Sequence, residues 1–229
     1  MTTIAHNLQR VRERIAAACA AAGRDVTEVT LLAVSKTFGP EAVREAHGAG
    51  QAAFGENYIQ EAVEKMALLA DLSLQWHCIG PVQSNKTRLV ATHFDWVHTV
   101  DRLKIGERLS QQRPPGRGPL DICIQVNIDQ GPTKSGVAPS DAPALARELA
   151  QLPNLRLRGL MTIPEPNPDP AAQRAVHQRA HALFEQLRAD GLALDTLSMG
   201  MTADLEAAVA AGSTMVRVGT AIFGGRPAA

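Results

Sequence analysis

Lys36 stands at a position where a lysine could act as a nucleophile. It follows the apolar, β-branched run of residues 29–34 with only Ser35 between, so the pattern predicts a lysine at the end of a buried strand. Of the five lysines in the chain, it alone ends a predicted strand. An amine partly desolvated there can lose its proton near neutral pH and attack a carbonyl to form a Schiff base. The alternative is a lysine whose ammonium simply extends from the strand end into solvent.

Two segments late in the chain carry groups that bind phosphate. Residues 198–201 (Ser-Met-Gly-Met) follow one predicted strand, and Gly219-Thr220 follow the last one. Their hydroxyls can donate hydrogen bonds, and their glycines let backbone N–H groups approach an anion closely. Taken alone, residues 198–201 are equally typical of a turn that leads into a helix. Together with Lys36, the two segments favour an aldehyde that carries a phosphate, and pyridoxal 5′-phosphate (PLP) is the obvious candidate.

Eight short apolar runs alternate with helical patterns and would position these groups. The predicted strands span residues 29–34, 52–54, 74–79, 94–98, 120–126, 155–161, 194–197 and 214–218. The predicted helices span residues 41–47, 57–69, 84–91, 102–112, 142–152, 173–189 and 203–211, and an apolar stripe from Ile4 to Cys19 predicts an extra N-terminal helix. Strict alternation predicts an α/β protein with a parallel sheet. Eight units predict a closed (β/α)8 TIM barrel, and an open doubly wound sheet is the alternative.

The predicted barrel would bring the candidate groups to one end of the molecule. In such barrels the carboxyl ends of the strands carry the chemistry, and phosphate commonly binds after strands seven and eight. Lys36 follows the first predicted strand, and the two phosphate-binding segments follow the seventh and eighth. No shift in composition separates two foldable halves, so we expect residues 1–229 to form a single domain.

Composition narrows the classes of protein that fit. The chain has 229 residues, is 45% hydrophobic and carries no formal net charge, so no general attraction to nucleic acid or to an anionic membrane is expected. Its three cysteines are far apart and odd in number, which favours buried thiols in a reducing compartment. No apolar run is long enough to span a bilayer, and no signal-peptide pattern opens the chain, so we expect a cytoplasmic protein.

Six ordered blocks of sequence resemble the signature blocks of the pyridoxal phosphate homeostasis protein family. The blocks are spread along the chain from end to end and comprise residues 33–37, 54–61, 76–86, 133–136, 197–201 and 216–224. Three positions depart from the family pattern, namely Cys78, Val82 and Thr133. The resemblance implies a barrel like the N-terminal domain of alanine racemase, without that enzyme's second domain. It also implies a PLP carrier or homeostasis factor without established catalysis.

The resemblance also implies a role for individual residues. Lys36 would hold PLP as an aldimine, Arg217 would face the pyridine nitrogen and Asn57 would line the pocket. The phosphate would be bound by the hydroxyls and backbone of Ser198, Met199, Gly200, Met201, Gly219 and Thr220. An arginine can only donate to an unprotonated pyridine nitrogen, which makes the ring a weak electron sink, permits racemase-like proton chemistry at best and disfavours most other PLP reactions. The alternative for Arg217 is a structural ion pair.

Two other functions remain open from the sequence. A PLP-dependent amino-acid racemase needs acid–base groups on both faces of the cofactor, and here Tyr58 alone would have to assist Lys36. A barrel enzyme that acts on a sugar phosphate is the third possibility. For a carrier, the expected partners are PLP and apo PLP-dependent enzymes, with no nucleic acid and no membrane, and the expected assembly is a monomer or weak homodimer.

Several polar residues have less specific interpretations. His77 and His98 alternate with apolar residues on predicted strands and are expected to be packed or hydrogen-bonded. Glu56 is placed either to cap the next helix or to touch the cofactor. The helical segment that contains Lys65 resembles an ordinary solvent-exposed face. Lys134 is either a solvated loop residue or a second amine for transient PLP capture. The histidines show no metal-ligand spacing.

Overall fold

The protein is a closed barrel of eight parallel strands in the sequential order β1 to β8. It is described from a computed structural model, over residues 3–131 and 135–225. The strands are β1 (Thr30–Val34), β2 (Ala53–Glu56), β3 (Gln75–Cys78), β4 (Trp96–Val100), β5 (Leu120–Val126), β6 (Leu155–Thr162), β7 (Thr196–Ser198) and β8 (Met215–Val218). Strand β8 pairs with β1, which closes the sheet. The predicted (β/α)8 barrel is therefore confirmed, and the open sheet is wrong.

Helices follow the strands and surround the barrel. They are α1 (Thr3–Ala21), α2 (Pro40–Gly48), α3 (Ile59–Leu68), α4 (Thr87–His93), α5 (Leu103–Gln112), α6 (Ala142–Leu149), α7 (Pro170–Ala189), α8 (Leu205–Ala210) and α9 (Thr220–Phe223). Short 3-10 turns at Val26–Glu28 and Ser84–Lys86 precede β1 and α4. None of the helices in the described ranges is long and apolar enough to cross a membrane.

The structure corrects several boundaries. The fourth predicted strand begins two residues too early, because the Phe94 N–H bonds to the Val90 carbonyl (3.0 Å) and ends α4. The buried Phe94 side chain had made this helix end resemble a strand. Helix α9 was not predicted. It is a single short turn whose Phe223 stacks on Phe38 at 5.2 Å, a long-range contact that local sequence patterns do not reveal.

Apolar side chains fill two separate spaces. The large core lies between the barrel and the helices, and it includes the predicted α1 stripe of Leu8, Val11, Ile15 and Cys19. Two small clusters come from strand residues of the opposite alternation, which places them inside the barrel. They are Leu32, Val34, Ala53, Ile79 and Met215 on one side, and Trp96, Cys123 and Met161 on the other. The remaining interior space is polar, and it leads toward the carboxyl ends of the strands.

Candidate cofactor site

Lys36 lies in a tight turn directly after β1. The Phe38 N–H donates to the Ser35 carbonyl at 3.1 Å, which makes Lys36 and Thr37 the two central residues of the turn. Thr37 has φ 67°, a left-handed conformation that is rare for a β-branched residue and that marks the third position of a type II turn. Lys36 is half-buried and continues the alternation of the inward-facing Leu32 and Val34. The turn therefore places Lys36 at the rim of the barrel, on the side that faces its interior.

A buried ion pair lies on the outer side of this turn. The Lys65 ammonium, on α3, donates to Glu56 Oε1 at 2.7 Å and to the Ser35 carbonyl at 3.0 Å. The Ser35 hydroxyl donates to the same Glu56 oxygen at 2.6 Å. Glu56 is fully buried and Lys65 is 4% exposed. Burial raises the pKa of Glu56, although the Lys65 charge and both hydrogen bonds act in the opposite direction.

This pair corrects two of the sequence interpretations. Lys65 does not lie on a solvent-exposed face, because it shares the inner side of α3 with Ile59 and Ala62. The spacing of three and six residues from those apolar positions was the signal that could have revealed its burial. Glu56 does not cap α3, whose first turn has no side-chain cap. It binds Lys65 and Ser35 instead.

A chain of polar side chains runs through the barrel interior from β8 to β3. Arg217 Nη1 donates to Ser198 Oγ at 2.7 Å, and Ser198 Oγ lies 2.9 Å from His98 Nδ1. His98 Nε2 lies 2.9 Å from His77 Nδ1, and His77 Nε2 lies 3.0 Å from Gln75 Oε1. All but the last of these residues are buried. The expectation that both histidines are hydrogen-bonded is confirmed.

The donors and acceptors available in this row of side chains allow its hydrogen bonds to run in only one direction. Burial lowers the pKa of His77 to about 3 and that of His98 well below its ordinary value, so both rings are neutral and each carries one N–H. Gln75 Oε1 can only accept, so each histidine donates from Nε2 and accepts at Nδ1, which leaves the Ser198 hydrogen pointing to His98 Nδ1 and the Ser198 oxygen accepting from Arg217. His98 then donates to His77, which donates to Gln75. The Ser198 hydroxyl is thus already engaged within the protein.

Arg217 is a buried cation that forms no ion pair with a carboxylate in the described part of the chain. Its second terminal nitrogen donates to the Thr162 carbonyl at 2.8 Å, and no described carboxylate lies within the 4.0 Å of an ion pair. The interpretation as a structural ion pair is therefore wrong for the described residues. Burial lowers the pKa of Arg217 to about 10, which leaves it charged at neutral pH. Two polar but uncharged acceptors hold a positive charge at the strand ends.

The turn after β7 is shaped by Gly200. Its φ is +96°, and an added Cβ would lie 2.5 Å from the Ala208 Cβ, so only glycine fits. The Met199 N–H donates to the Met215 carbonyl and the Met201 N–H donates to Asp204 Oδ1. Of the three predicted phosphate-binding amides in this turn, only that of Gly200 donates to no acceptor among the described residues.

The end of β8 lies against the end of β1. Gly219 packs so closely on Val34 that an added Cβ would lie 3.2 Å from the Val34 carbonyl oxygen. Gly219 also precedes α9, whose first N–H groups, beginning with Thr220, have no acceptor within a helix. Because β1 and β8 are paired, these amides and the Lys36 turn occupy neighbouring strand ends.

Buried polar atoms without hydrogen-bond partners collect at the same end of the barrel. In the described part of the chain they include Thr37 Oγ1, Asn57 Oδ1 and Thr162 Oγ1, which follow or end β1, β2 and β6. Unpaired buried polar atoms are costly, and a polar ligand would supply their partners. Thr162 was not singled out from the sequence.

Lys134 lies outside the described residues. No metal-like group of three or more His, Cys, Asp or Glu side chains occurs within residues 3–131 and 135–225.

Fold and site together define a (β/α)8 barrel with a strand-end lysine, a buried arginine and glycine-rich turns at one mouth. The family described as alanine racemase, N-terminal domain, matches residues 1–227. The pyridoxal phosphate homeostasis protein of Pseudomonas aeruginosa is 61% identical over 226 residues, covering 99% of this chain and 97% of that protein. The Escherichia coli K12 protein of the same name is 52% identical over 229 residues, covering 99% and 98%. The chain belongs to the pyridoxal phosphate homeostasis protein family.

Solved structures support the same assignment. PipY of Synechococcus elongatus PCC7942, solved with PLP bound, is 39% identical with a TM-score of 0.85, and the match covers 96% of this chain and all of that one. Alanine racemase from Corynebacterium glutamicum is 18% identical with a TM-score of 0.74, covering 99% of this chain and 62% of the racemase. The second likeness concerns the fold alone.

Proposed function

We propose that this protein binds PLP through Lys36 and serves PLP homeostasis as a carrier, without turning over a substrate. The names of its relatives and the PLP-bound PipY structure support the cofactor. The buried polar atoms without partners at the barrel mouth, and the Arg217 charge that no described carboxylate pairs directly, fit a polar, anionic ligand there.

Each proposed contact follows from a place in the fold. Lys36 supplies the amine for the PLP aldehyde, and Asn57 lines the pocket from the end of β2. Gly200, Gly219 and Thr220 supply backbone or hydroxyl donors for the phosphate. Ser198, whose hydrogen is engaged by His98, contributes by fixing the position of Arg217. Met199 and Met201 shape the turn through amides that are already bonded.

Arg217 is the observation that carries the carrier assignment against most PLP-dependent enzymes, and it leaves an amino-acid racemase as the PLP-dependent alternative. When bound, PLP supplies a ring that can stabilise a carbanion, and it does so best when its pyridine nitrogen is protonated. Arg217 is fixed by Ser198 and Thr162 and retains its protons at neutral pH. It can donate to a pyridine nitrogen but cannot keep that nitrogen protonated as a carboxylate would. Residues that hold PLP while limiting its reactivity suit a carrier.

Transfer of the cofactor tests the proposal. The PLP-loaded protein is mixed with an apo PLP-dependent enzyme, and recovery of that enzyme's activity is compared with recovery in the same concentration of free PLP. We expect the loaded protein to reactivate the enzyme, and we expect Lys36→Ala to lose its yellow colour and this effect. Lys104→Ala, at an exposed lysine of α5, is the matched control.

Racemisation is measured in parallel. The loaded protein is incubated with L-alanine and the D-enantiomer is quantified by chiral chromatography, with Lys36→Ala as the blank. A carrier yields no D-alanine above that blank. Accumulation of D-alanine at an enzymatic rate, abolished in Lys36→Ala, would contradict the carrier assignment and favour a racemase.

A further inference from the structure

We propose that Glu56 and Lys65 are positioning residues that hold the Lys36 turn in its binding conformation. The proposal rests on the proposed function, in which Lys36 is the residue that binds PLP. Neither residue needs to touch the cofactor, because both act on Ser35, the residue before Lys36. We call Ser35, Glu56 and Lys65 the outer clamp.

Within the outer clamp, Glu56 and Lys65 hold Ser35 through its hydroxyl and its carbonyl. Its hydroxyl donates to Glu56 Oε1, and its carbonyl accepts from the Lys65 ammonium. The Ser35 N–H is also engaged, by the Gly55 carbonyl at 3.0 Å. Ser35 is fully buried between β2 and α3. All three polar groups of Ser35 are therefore hydrogen-bonded, and Ser35 is the first residue of the Lys36 turn.

The turn needs to be held because it is strained. Thr37 adopts φ 67°, where its Cβ crowds the backbone, and its hydroxyl is buried without a partner. Such conformations persist only where the surrounding structure over-determines them. The bond that closes the turn, from the Phe38 N–H, ends on the same Ser35 carbonyl that Lys65 binds. Lys65 therefore fixes the acceptor on which the turn depends.

Stability alone does not account for the pair. Replacing a buried ion pair by apolar residues of similar volume is often neutral or stabilising, so a charged pair in this layer is weak evidence for a stabilising role. The surrounding helix layer is built from apolar side chains such as Ile59 and Ala62. What the charged pair provides, and an apolar pair would not, is the two hydrogen bonds to Ser35.

The test uses the charge-neutral double variant Glu56→Met/Lys65→Met, which removes both hydrogen bonds to Ser35 and leaves no unpaired buried charge. PLP affinity is measured by titration of the yellow absorbance, and hydrogen exchange of the Phe38 amide is measured by NMR in the apo protein. We expect PLP affinity to fall about tenfold or more, since misplacing a reacting group by about 1 Å can cost ~100-fold. We expect Phe38 exchange to accelerate in the same variant.

Rescue by Thr37→Gly separates positioning from general damage. Glycine adopts positive φ without strain, so the turn should form without the clamp. We expect removal of the clamp to cost much less PLP affinity and Phe38 protection in the Thr37→Gly background than in the parent, with Thr37→Gly alone as the reference for that background. Removal of the exposed pair Arg44–Asp71, by Arg44→Gln/Asp71→Asn, is the matched control and should leave both unchanged. If the double variant does not fold, Ser35→Ala tests the hydroxyl link alone.

The outcomes separate this proposal from the proposed function. A folded double variant with parental PLP affinity overturns the clamp, whatever its Phe38 exchange. A loss of PLP affinity that is as large in the Thr37→Gly background as in the parent also overturns it. If Lys36→Ala binds PLP as well as the parent does, the proposed function fails. In that case Phe38 exchange alone decides whether the clamp holds the turn.

Discussion

At the scale of single residues, Ser198 shows how neighbours decide what a side chain can do. A serine beside two glycine-rich turns looks like a phosphate donor, and this was its predicted role. In the structure its hydrogen is directed to His98 and its oxygen accepts from Arg217. The hydroxyl therefore fixes the direction of the arginine. The sequence contains these residues, but they lie on β4, β7 and β8, and only the closed barrel brings them into contact.

His98 provides a prediction at this scale. In His98→Phe the Ser198 hydrogen and His77 Nδ1 both lose their partners, and we expect the free energy of unfolding to fall by ~2–4 kcal/mol. His98→Gln supplies an acceptor and a donor, so we expect the loss to be about 1 kcal/mol or less. Denaturant unfolding of both variants gives the comparison. Equal losses of stability in the two variants would contradict the assigned hydrogen bonds from Ser198 to His98 and from His98 to His77.

At the scale of elements, the strands of the barrel can be predicted from the sequence, whereas the side-chain pairings between elements cannot. All eight strands were predicted, because runs such as Leu120–Val126 are buried on both faces and read as continuous apolar segments. Lys36 was likewise recognised as ending β1. The burial of Lys65 was missed, because its acidic neighbours on α3 suggested a solvated face and its partner lies on β2. Pairings across elements leave little trace in local patterns.

The turn after β7 provides the prediction for an element. Gly200→Ala combines a positive φ with a 2.5 Å contact to Ala208, so we expect it to lower the free energy of unfolding by ~2–4 kcal/mol and to weaken PLP binding. Gly191 is the matched control, since its φ is +95° and an added Cβ meets nothing within 4 Å. Gly191→Ala should cost about 1 kcal/mol, without loss of PLP affinity. Equal costs at both sites would contradict the packing argument.

At the scale of the whole molecule, the barrel interior keeps two histidines neutral, and this links folding to pH. His77 and His98 have lowered pKa values because they are buried. In the unfolded chain they take up protons below about pH 6.5, whereas the folded protein does not until much lower pH. The unfolded state therefore binds more protons in this window. The stability contribution is full above about pH 6.5 and is lost as the pH falls.

We expect the two histidines to make the free energy of unfolding depend on pH. Between about pH 6 and pH 4, we expect the free energy of unfolding to fall by up to ~1.4 kcal/mol per pH unit for each histidine, in addition to any effect of carboxylates. Urea unfolding across this window measures the slope. His77→Gln/His98→Gln, which keeps polar groups without their titration, should flatten it, and His6→Gln at an exposed position serves as control. An unchanged slope in the double variant would show that these histidines are not held neutral.

The central claim, that Lys36 binds PLP, has one most direct measurement. The protein is loaded with PLP, reduced with borohydride and digested, and the modified lysine is located by peptide mass spectrometry. Reduction fixes the bond between the lysine nitrogen and the PLP aldehyde carbon, so the adduct marks the residue that formed it. We predict a stoichiometric adduct on Lys36 that is absent from Lys36→Ala. An adduct chiefly on Lys134 or on any other lysine, or none under saturating PLP, would contradict the account.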